Sequence, residues 1–274
     1  MEKLNRAAFM ISDGTGITAE TFGHSLLSQF PNVEFNIEVL TFVDTENRVD
    51  KAIEMINDAA SSSGKKPIVF ATLIDEQLRK RLEGSNCEYF DLFNTYLSNL
   101  EEILETKSSH AVGVSHGIAN SGGYAARISA MNFALETDDG VSTDSYKGAE
   151  IIVVGVSRSG KTPTCLYLAL QYGIYAANYP LTDEELDTGK LPDVLTPHAE
   201  KLFGLTIDPY RLQQIRQERY NRDSYASSRR CQYEVAQAEA MFRKSKIGFL
   251  NSTQMSVEEL GAKIMQETGL RRRH

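Results

Sequence analysis

The fold of the central region is decided by one short stretch, Gly155-Val156-Ser157-Arg158-Ser159-Gly160-Lys161-Thr162. A glycine, four further residues and then Gly-Lys-Thr is the spacing of a P-loop. The apolar, β-branched run 150–154 predicts a buried strand before it, and residues 164–172 predict a helix after it, with Pro163 in the first turn. Strand, glycine-rich turn and helix N-terminus together direct backbone N–H groups at one point, which predicts a phosphate-binding site.

The loop residues have expected parts in binding a nucleotide. Lys161 is expected to be exposed at the cradle and to reach the terminal phosphates, and the Thr162 hydroxyl is a candidate Mg²⁺ ligand. The motif leaves kinase, NTPase and switch open, since it indicates a nucleotide and not a reaction. The residues predicted to bind the nucleotide are Gly155, Val156, Ser157, Arg158, Ser159, Gly160, Lys161 and Thr162.

Composition excludes several classes of protein. The chain has 274 residues, which favours two domains, and its net charge of −8 argues against broad affinity for nucleic acid or membranes. No apolar run approaches the roughly 20 residues of a membrane span, and the N-terminus lacks the apolar stretch of a signal peptide. Three widely spaced cysteines, Cys87, Cys165 and Cys231, argue against a disulfide framework or a zinc site. A cytoplasmic location is expected.

Strand-like and helix-like segments alternate along the first hundred residues, which predicts a parallel sheet covered by helices. Strands are expected at residues 6–11, 33–42, 67–73, 87–92, 176–181, 202–207 and 247–250, and residues 209–243 are expected to be largely helical. The fold class is therefore α/β. We expect an N-terminal parallel-sheet α/β domain over residues 1–108 and a C-terminal P-loop kinase-like α/β domain over 109–274, with a connecting segment at 109–148.

Asp208 is a candidate Mg²⁺ ligand together with Thr162. It ends the apolar run 202–207, as a Walker B aspartate does. Pro209 follows directly, and an Asp-Pro pair is also a common way to begin a helix. Both interpretations remain open from the sequence.

Asp138 and Asp139 are adjacent carboxylates that precede Gly140. One of them could accept the proton of an incoming hydroxyl, and we assign this catalytic part to Asp139. The alternative is a plain turn, in which aspartate is favoured for its local hydrogen bonds.

The loop that leaves the first strand, residues 12–20, is a further candidate. It lies where ligands bind to parallel sheets and combines Gly14 and Gly16 with several hydroxyl groups. Asp13 is its candidate catalytic residue, and Thr18 could cap the helix that follows. The alternative is a tight turn that needs glycine only for its geometry.

An arginine-rich segment spans residues 211–230 of this otherwise acidic chain. P-loop kinases use mobile cationic groups that close over the transferred phosphoryl group. The segment is therefore a candidate lid, with Arg219 and Arg222 on one helix face as the proposed phosphate contacts. A solvated helix face with ordinary ion pairs is the alternative.

Several stretches together resemble the pyruvate, phosphate/water dikinase regulatory proteins. The likeness extends over nearly the whole chain, and Gly160-Lys161-Thr162 is most similar to the branch that acts on phosphoenolpyruvate synthase. In the branch that acts on pyruvate, phosphate dikinase, serine tends to occupy the position of Gly160. The stretches are residues 11–20, 138–140, 155–163, 176–181, 202–209 and 251–253.

This resemblance implies an unusual pair of reactions. The family phosphorylates a threonine of the dikinase, beside its catalytic histidine, with ADP as donor and AMP as product, which inactivates the target. It also removes that phosphate with inorganic phosphate as acceptor, which yields pyrophosphate and restores activity. Phosphoenolpyruvate synthase is the implied partner, Mg²⁺ is an expected cofactor, and the oligomeric state is open, a homodimer being one option. A nucleotide-binding sensor that docks to a partner and a small-molecule P-loop kinase remain the alternative functions.

Overall fold

The computed structural model describes residues 4–109, 121–219 and 225–273. The chain divides into two compact units, residues 1–117 and 118–274. Each unit contains its own four-stranded parallel sheet with helices in the connections. The predicted α/β class is therefore confirmed, and the sheet of the second unit is parallel as well.

The first unit alternates strictly between strands and helices. Its sheet has the order β2-β1-β3-β4, and every neighbouring pair is parallel. The elements are β1 (Leu4–Ser12), α1 (Ile17–Leu27), β2 (Val33–Leu40), α2 (Glu46–Ser63), β3 (Ile68–Thr72), α3 (Glu76–Glu83), β4 (Glu88–Asp91) and α4 (Asn94–Ile103). The predicted strands and helices of this half are all present.

The second unit begins with a helix and has the sheet order β6-β5-β7-β8, again parallel throughout. Its elements are α5 (Ser121–Glu136), β5 (Ile151–Gly155), α6 (Lys161–Tyr167), β6 (Ala176–Pro180), α7 (Asp183–Thr188), β7 (Leu202–Thr206), α8 (Pro209–Arg219), α9 (Ser228–Lys244), β8 (Phe249–Asn251) and α10 (Val257–Thr268). A π-helical turn, Leu168–Tyr172, continues α6.

Strand β5 is buried on both faces and divides the core of the second unit. Ile152 and Val154 pack into a cluster on one side of the sheet, and Ile151 and Val153 pack into another on the opposite side. Alternate residues of a strand point to opposite faces, so a run of apolar residues is required where helices cover both. This burial fixes the end of β5, from which the P-loop leaves.

Two helices of the second unit were not predicted, α7 and α10. Both begin with a capping box, in which Thr182 pairs with Glu185 and Ser256 pairs with Glu259. A Ser or Thr followed three residues later by Glu is a readable N-terminal pattern, so the sequence did carry this signal. Strand β8 begins at Phe249, later than the predicted residue 247.

Candidate functional site

The P-loop leaves β5 at Gly155 and reaches α6 at Gly160. A Cβ atom at Gly155 would lie 2.3 Å from the carbonyl oxygen of Leu205, so no larger residue fits between these strands. Gly160 has φ 95° and Arg158 has φ 76°, both in the left-handed region. Such backbone positions turn successive N–H groups towards one side, which is the geometry of an anion-binding loop.

Lys161 is buried, contrary to the expectation that it would be exposed at the cradle. Only 4% of it is accessible, and its Nζ donates a hydrogen bond to the carbonyl oxygen of Val156 at 3.0 Å. Burial lowers the pKa of Lys161 to about 8, and the nearby Asp139 and Asp138 oppose this effect. Lys161 is buried because its ammonium group finds an acceptor within the loop itself.

Thr162 contacts a carboxylate that is 24 positions earlier in the chain. Its Oγ1 donates to Asp138 Oδ1 at 2.8 Å. The same oxygen accepts a hydrogen bond from the side-chain amide of Asn178, which is fully buried on β6. The structure therefore joins the P-loop hydroxyl, a carboxylate and a buried amide in one network.

Asp139 lies beside this network with a different environment. Its backbone is left-handed, with φ 49°, and its N–H donates to Asn178 Oδ1 at 3.1 Å. The residue is exposed, whereas Asp138 is half-buried. Tyr146 completes the arrangement by donating its hydroxyl to the carbonyl of Asn178 at 2.9 Å. The two residues of the turn thus differ: the carboxylate of Asp138 is engaged by two donors, whereas Asp139 is exposed and acts electrostatically on Lys161.

Asp208 makes the contacts of a residue that starts a helix. Its Oδ1 accepts the N–H groups of Tyr210 at 2.9 Å and Arg211 at 3.0 Å, at the beginning of α8. Such a cap satisfies backbone donors that have no partner within the helix. Of the two interpretations that the sequence left open, the helix-initiating one describes these contacts, and the carboxylate bonded to Thr162 is that of Asp138. Within residues 4–109, 121–219 and 225–273, no group of three or more metal-ligating side chains occurs.

Asp13 belongs to the first unit and is almost buried, with 9% exposure. Its Oδ2 accepts the N–H of Ile74 at 2.8 Å, in the loop after β3. Burial raises the pKa of Asp13, with smaller contributions from Asp44 and Asp75, while the hydrogen bond from Ile74 acts in the opposite direction. Thr18 does not cap α1, because the helix begins at Ile17 and its capping residue is a left-handed glycine.

Two described arginines of the 211–230 segment, Arg216 and Arg230, form ion pairs, but Arg216 is buried and is not part of a solvated helix face. Arg216 is fully buried and bonds to Glu234 at 2.6 Å. Arg230 bonds to the other oxygen of Glu234 at 2.7 Å and also to Asp183. The proposed lid contacts cannot be compared with these, since Arg222 and the side chain of Arg219 lie outside the described residues.

Asn178 and Ser252, close to the P-loop, were missed as functional candidates, and Arg216 was expected only as part of the arginine-rich candidate lid. Each holds a backbone or side-chain group of the site, as described above for Asn178 and below for the other two. An asparagine inside a buried apolar strand is a signal in itself, because buried amides need partners. Nothing comparable along the chain marks Arg216 or Ser252 individually.

Comparison with known proteins adds the family. A family model described as Kinase/pyrophosphorylase matches residues 8–265. Relatives that carry the name phosphoenolpyruvate synthase regulatory protein align end to end. The one from Alkalilimnicola ehrlichii is 50% identical over 273 residues (100% of this chain, 99% of the relative). Those from Pseudomonas aeruginosa strain LESB58 and Legionella pneumophila strain Lens are 51% and 49% identical over 271 and 270 residues (99% and 98% of this chain, 99% and 100% of the relatives). This chain, with its P-loop and paired Thr162 and Asp138, therefore belongs to the kinase/pyrophosphorylase family.

Proposed function

We propose that this chain regulates phosphoenolpyruvate synthase in both directions. In one reaction it transfers the β-phosphoryl group of ADP to a threonine of the synthase, releases AMP and inactivates the enzyme. In the other it transfers that phosphoryl group to inorganic phosphate, releases pyrophosphate and restores activity. The names of the full-length relatives and the kinase/pyrophosphorylase family support this proposal. Its three free, buried cysteines suit a reducing cytoplasm.

The observation that carries the proposal is the P-loop with Lys161 at its base and Thr162 bonded to Asp138. A cradle of this kind can hold the β-phosphate of ADP during phosphorylation and inorganic phosphate during the reverse transfer. In both directions a phosphoryl group moves between a threonine oxygen and a phosphate oxygen. One cradle can therefore serve both reactions, because the group opposite the threonine is a phosphate in each.

In the phosphorylation step, Asp139 and Lys161 have different proposed parts. The threonine oxygen forms a bond to the β-phosphorus, the bond from that phosphorus to the bridging oxygen breaks, and AMP leaves. The threonine proton passes to the exposed carboxylate of Asp139, since Asp138 already accepts two hydrogen bonds. The Lys161 ammonium stabilises the negative charge on the transferred group.

Removal of the phosphate follows the same geometry in reverse. An oxygen of inorganic phosphate attacks the phosphorus of phosphothreonine, the bond to the threonine oxygen breaks, and that oxygen takes a proton. Asp139 is the proposed proton donor in this direction. Pyrophosphate then leaves the cradle.

The residues at Thr162 fit a magnesium ion. Its hydroxyl oxygen lies 2.8 Å from a carboxylate oxygen of Asp138. Oxygen atoms of this kind are the ligands that Mg²⁺ prefers. Asp138, and not Asp208, is then the proposed carboxylate partner of Thr162 in holding the ion. When bound, the ion would neutralise charge on the phosphate oxygens.

The decisive experiment uses ADP labelled at the β-phosphate, purified phosphoenolpyruvate synthase and this protein. We expect label on a threonine of the synthase with equimolar AMP, and release of that label as pyrophosphate when inorganic phosphate is added. ATP freed of ADP is the donor control, and Lys161→Met is the inactive control.

Each alternative gives a different result. Label on a small molecule and not on the synthase would indicate a small-molecule kinase. Nucleotide binding without any transfer would indicate a sensor. Transfer from γ-labelled ATP but not from ADP would overturn the proposed donor.

A further inference from the structure

The carbonyl groups of the P-loop are held from outside the loop. The carbonyl oxygen of Ser157 accepts a hydrogen bond from Arg216 Nη2 at 3.2 Å. That of Ser159 accepts one from Ser252 Oγ at 2.8 Å. The two donors come from α8 and from the turn after β8, which are 59 and 93 positions further along the chain. The loop is therefore oriented by parts of the chain that are distant in sequence.

Arg216 is a buried cation, and the ion pair with Glu234 is not its only contact. Its side chain has 0% exposure, and burial of a guanidinium group is unfavourable unless it is well paired. Glu234 supplies the pairing with one carboxylate oxygen and bonds to Arg230 with the other. An apolar residue at position 216 could make neither the hydrogen bond to the P-loop carbonyl of Ser157 nor the one to the carbonyl of Tyr225.

Tyr225 strengthens the same contact. Its ring centroid lies 4.2 Å from the guanidinium carbon of Arg216, and its carbonyl oxygen accepts from Arg216 Nη1 at 3.2 Å. Its hydroxyl bonds to Ser157 Oγ at 3.0 Å. Ser157 is thus held at both its carbonyl and its hydroxyl, so its peptide plane has little freedom to rotate.

Ser252 holds the loop from the turn after β8. Its Oγ lies 2.8 Å from the carbonyl of Ser159 and 3.1 Å from that of Thr206, and its backbone N–H also donates to Thr206 at 2.9 Å. The backbone hydrogen bond already serves the Thr206 carbonyl. The hydroxyl is therefore available for Ser159, to which it is closer.

Because peptide bonds are planar, these contacts at the carbonyl groups also fix the direction of the N–H groups of the loop. The described chain contains no cis peptide bond, and in a trans peptide the C=O of one residue and the N–H of the next point in opposite directions. A Ser157 carbonyl directed at Arg216 sends the N–H of Arg158 away from Arg216. A Ser159 carbonyl directed at Ser252 sends the N–H of Gly160 away from Ser252.

We propose that Arg216 and Ser252 are positioning residues that set the direction of the P-loop amides towards a bound nucleotide phosphate. They contact neither the phosphate nor the reacting atoms. The inference requires that a nucleotide phosphate binds at the P-loop, and it does not require that the donor be ADP.

The test measures the dissociation constants of ADP, ATP and pyrophosphate for the full chain by calorimetry. Ser252→Ala should weaken ADP and pyrophosphate by a similar factor, about fivefold, as expected for one lost orienting hydrogen bond. Ser252→Thr keeps the hydroxyl and should bind ADP and pyrophosphate as the wild type does. If Ser252→Ala acted through a general loss of packing, restoring the hydroxyl would not restore these two affinities. Thr253→Ala is the matched control, because its hydroxyl accepts from Asp208 and not from the loop; it should bind like the wild type.

Arg216→Lys retains the charge but loses the planar fork and should weaken pyrophosphate by about tenfold. If this variant does not fold, the Ser252 series decides alone. Wild-type affinity for pyrophosphate in Ser252→Ala, or no recovery in Ser252→Thr, would overturn the proposal, as would a wild-type protein that binds none of the three ligands. Binding of ATP but not ADP would overturn only the proposed donor, since the same variants can then be compared with ATP.

Discussion

In both units the first strand lies between the second and the third, so β1 and β5 each end where the connections diverge to opposite sides of the sheet. Ligands of such sheets bind at this position. The loops that follow make similar backbone contacts. In the first unit the N–H of Val43, after β2, donates to the carbonyl of Ser12 at the end of β1. In the second unit the N–H of Leu181, after β6, donates to the carbonyl of Gly155 at the end of β5. A left-handed glycine precedes the helix in each unit.

The side chains of the two loops differ. After its left-handed glycine, the first loop continues with Ile17 and Thr18, whereas the P-loop continues with Lys161 and Thr162. Ile17 is exposed, and the first loop instead buries an acid, Asp13. A repeated strand order therefore supplies the same place for a ligand twice, but only one of the two loops has a cation for a phosphate.

The largest expected effect comes from removing the cation of the P-loop, since the first loop has an uncharged residue at the equivalent position. Lys161→Met keeps the side-chain volume and removes the charge, so both reactions should slow by on the order of 10²–10³-fold. Ile17→Met, at the equivalent position of the first loop, should leave both rates within about twofold. Initial rates of threonine labelling and of pyrophosphate release measure this. Near-normal rates in Lys161→Met would remove the P-loop as the active site.

A smaller effect is expected at the carboxylate beside Thr162. Asp138→Asn should lower both rates by about 10- to 100-fold, because a charged acceptor of the P-loop hydroxyl is lost. Asp208→Asn is the matched change, and since asparagine caps helices as well as aspartate, activity and melting temperature should both stay near wild type. A larger loss of activity in Asp208→Asn than in Asp138→Asn would indicate that Asp208, and not Asp138, holds the magnesium ion.

The pH profile should report on Lys161. Its pKa of about 8 means that the unliganded protein loses the ammonium charge as pH rises through that value. We expect kcat/KM for the nucleotide to fall above about pH 8, by up to tenfold per pH unit. At saturating nucleotide the fall should move to higher pH, because phosphate charge favours the ammonium form. A kcat/KM that stays level to pH 9.5 or so would show that the charge of Lys161 is not needed.

The smallest effect is expected in the first loop. The raised pKa of Asp13 means that its ionisation opposes folding, so the stability that it contributes is greatest below its unfolded pKa and is lost as pH rises through the folded pKa. Asp13→Asn should therefore raise the melting temperature at pH 7 by roughly 1–3 °C, with a smaller gain at acid pH.

Activity of the same variant tests the catalytic part proposed for Asp13. A buried carboxylate that lowers stability is typical of a functional residue, so we expect a severalfold loss in at least one direction. Asp44→Asn, a charge change at an exposed neighbour, should alter neither rate. Full activity with a raised melting temperature would leave the loop a structural turn.

The sequence by itself determined the elements and the family of this protein. The alternation of strands and helices, the P-loop between β5 and α6, and the two capping boxes are all local patterns, set by periodicity and by residues a few positions apart. The resemblance carried by scattered stretches agrees with the family match over residues 8–265.

Only the tertiary structure decided which side chains support the P-loop. Thr162 meets Asp138 across 24 positions, and the carbonyls of Ser157 and Ser159 meet Arg216 and Ser252 across 59 and 93. These contacts depend on the order β6-β5-β7-β8, which brings β5 between strands that follow it in sequence. Spacing along the chain does not encode that order, and so the sequence alone leaves two interpretations open for Asp208 and does not pair Asp138 with Thr162. Burial of Lys161 has the same origin, because the exposure of a side chain is a property of its neighbours in space.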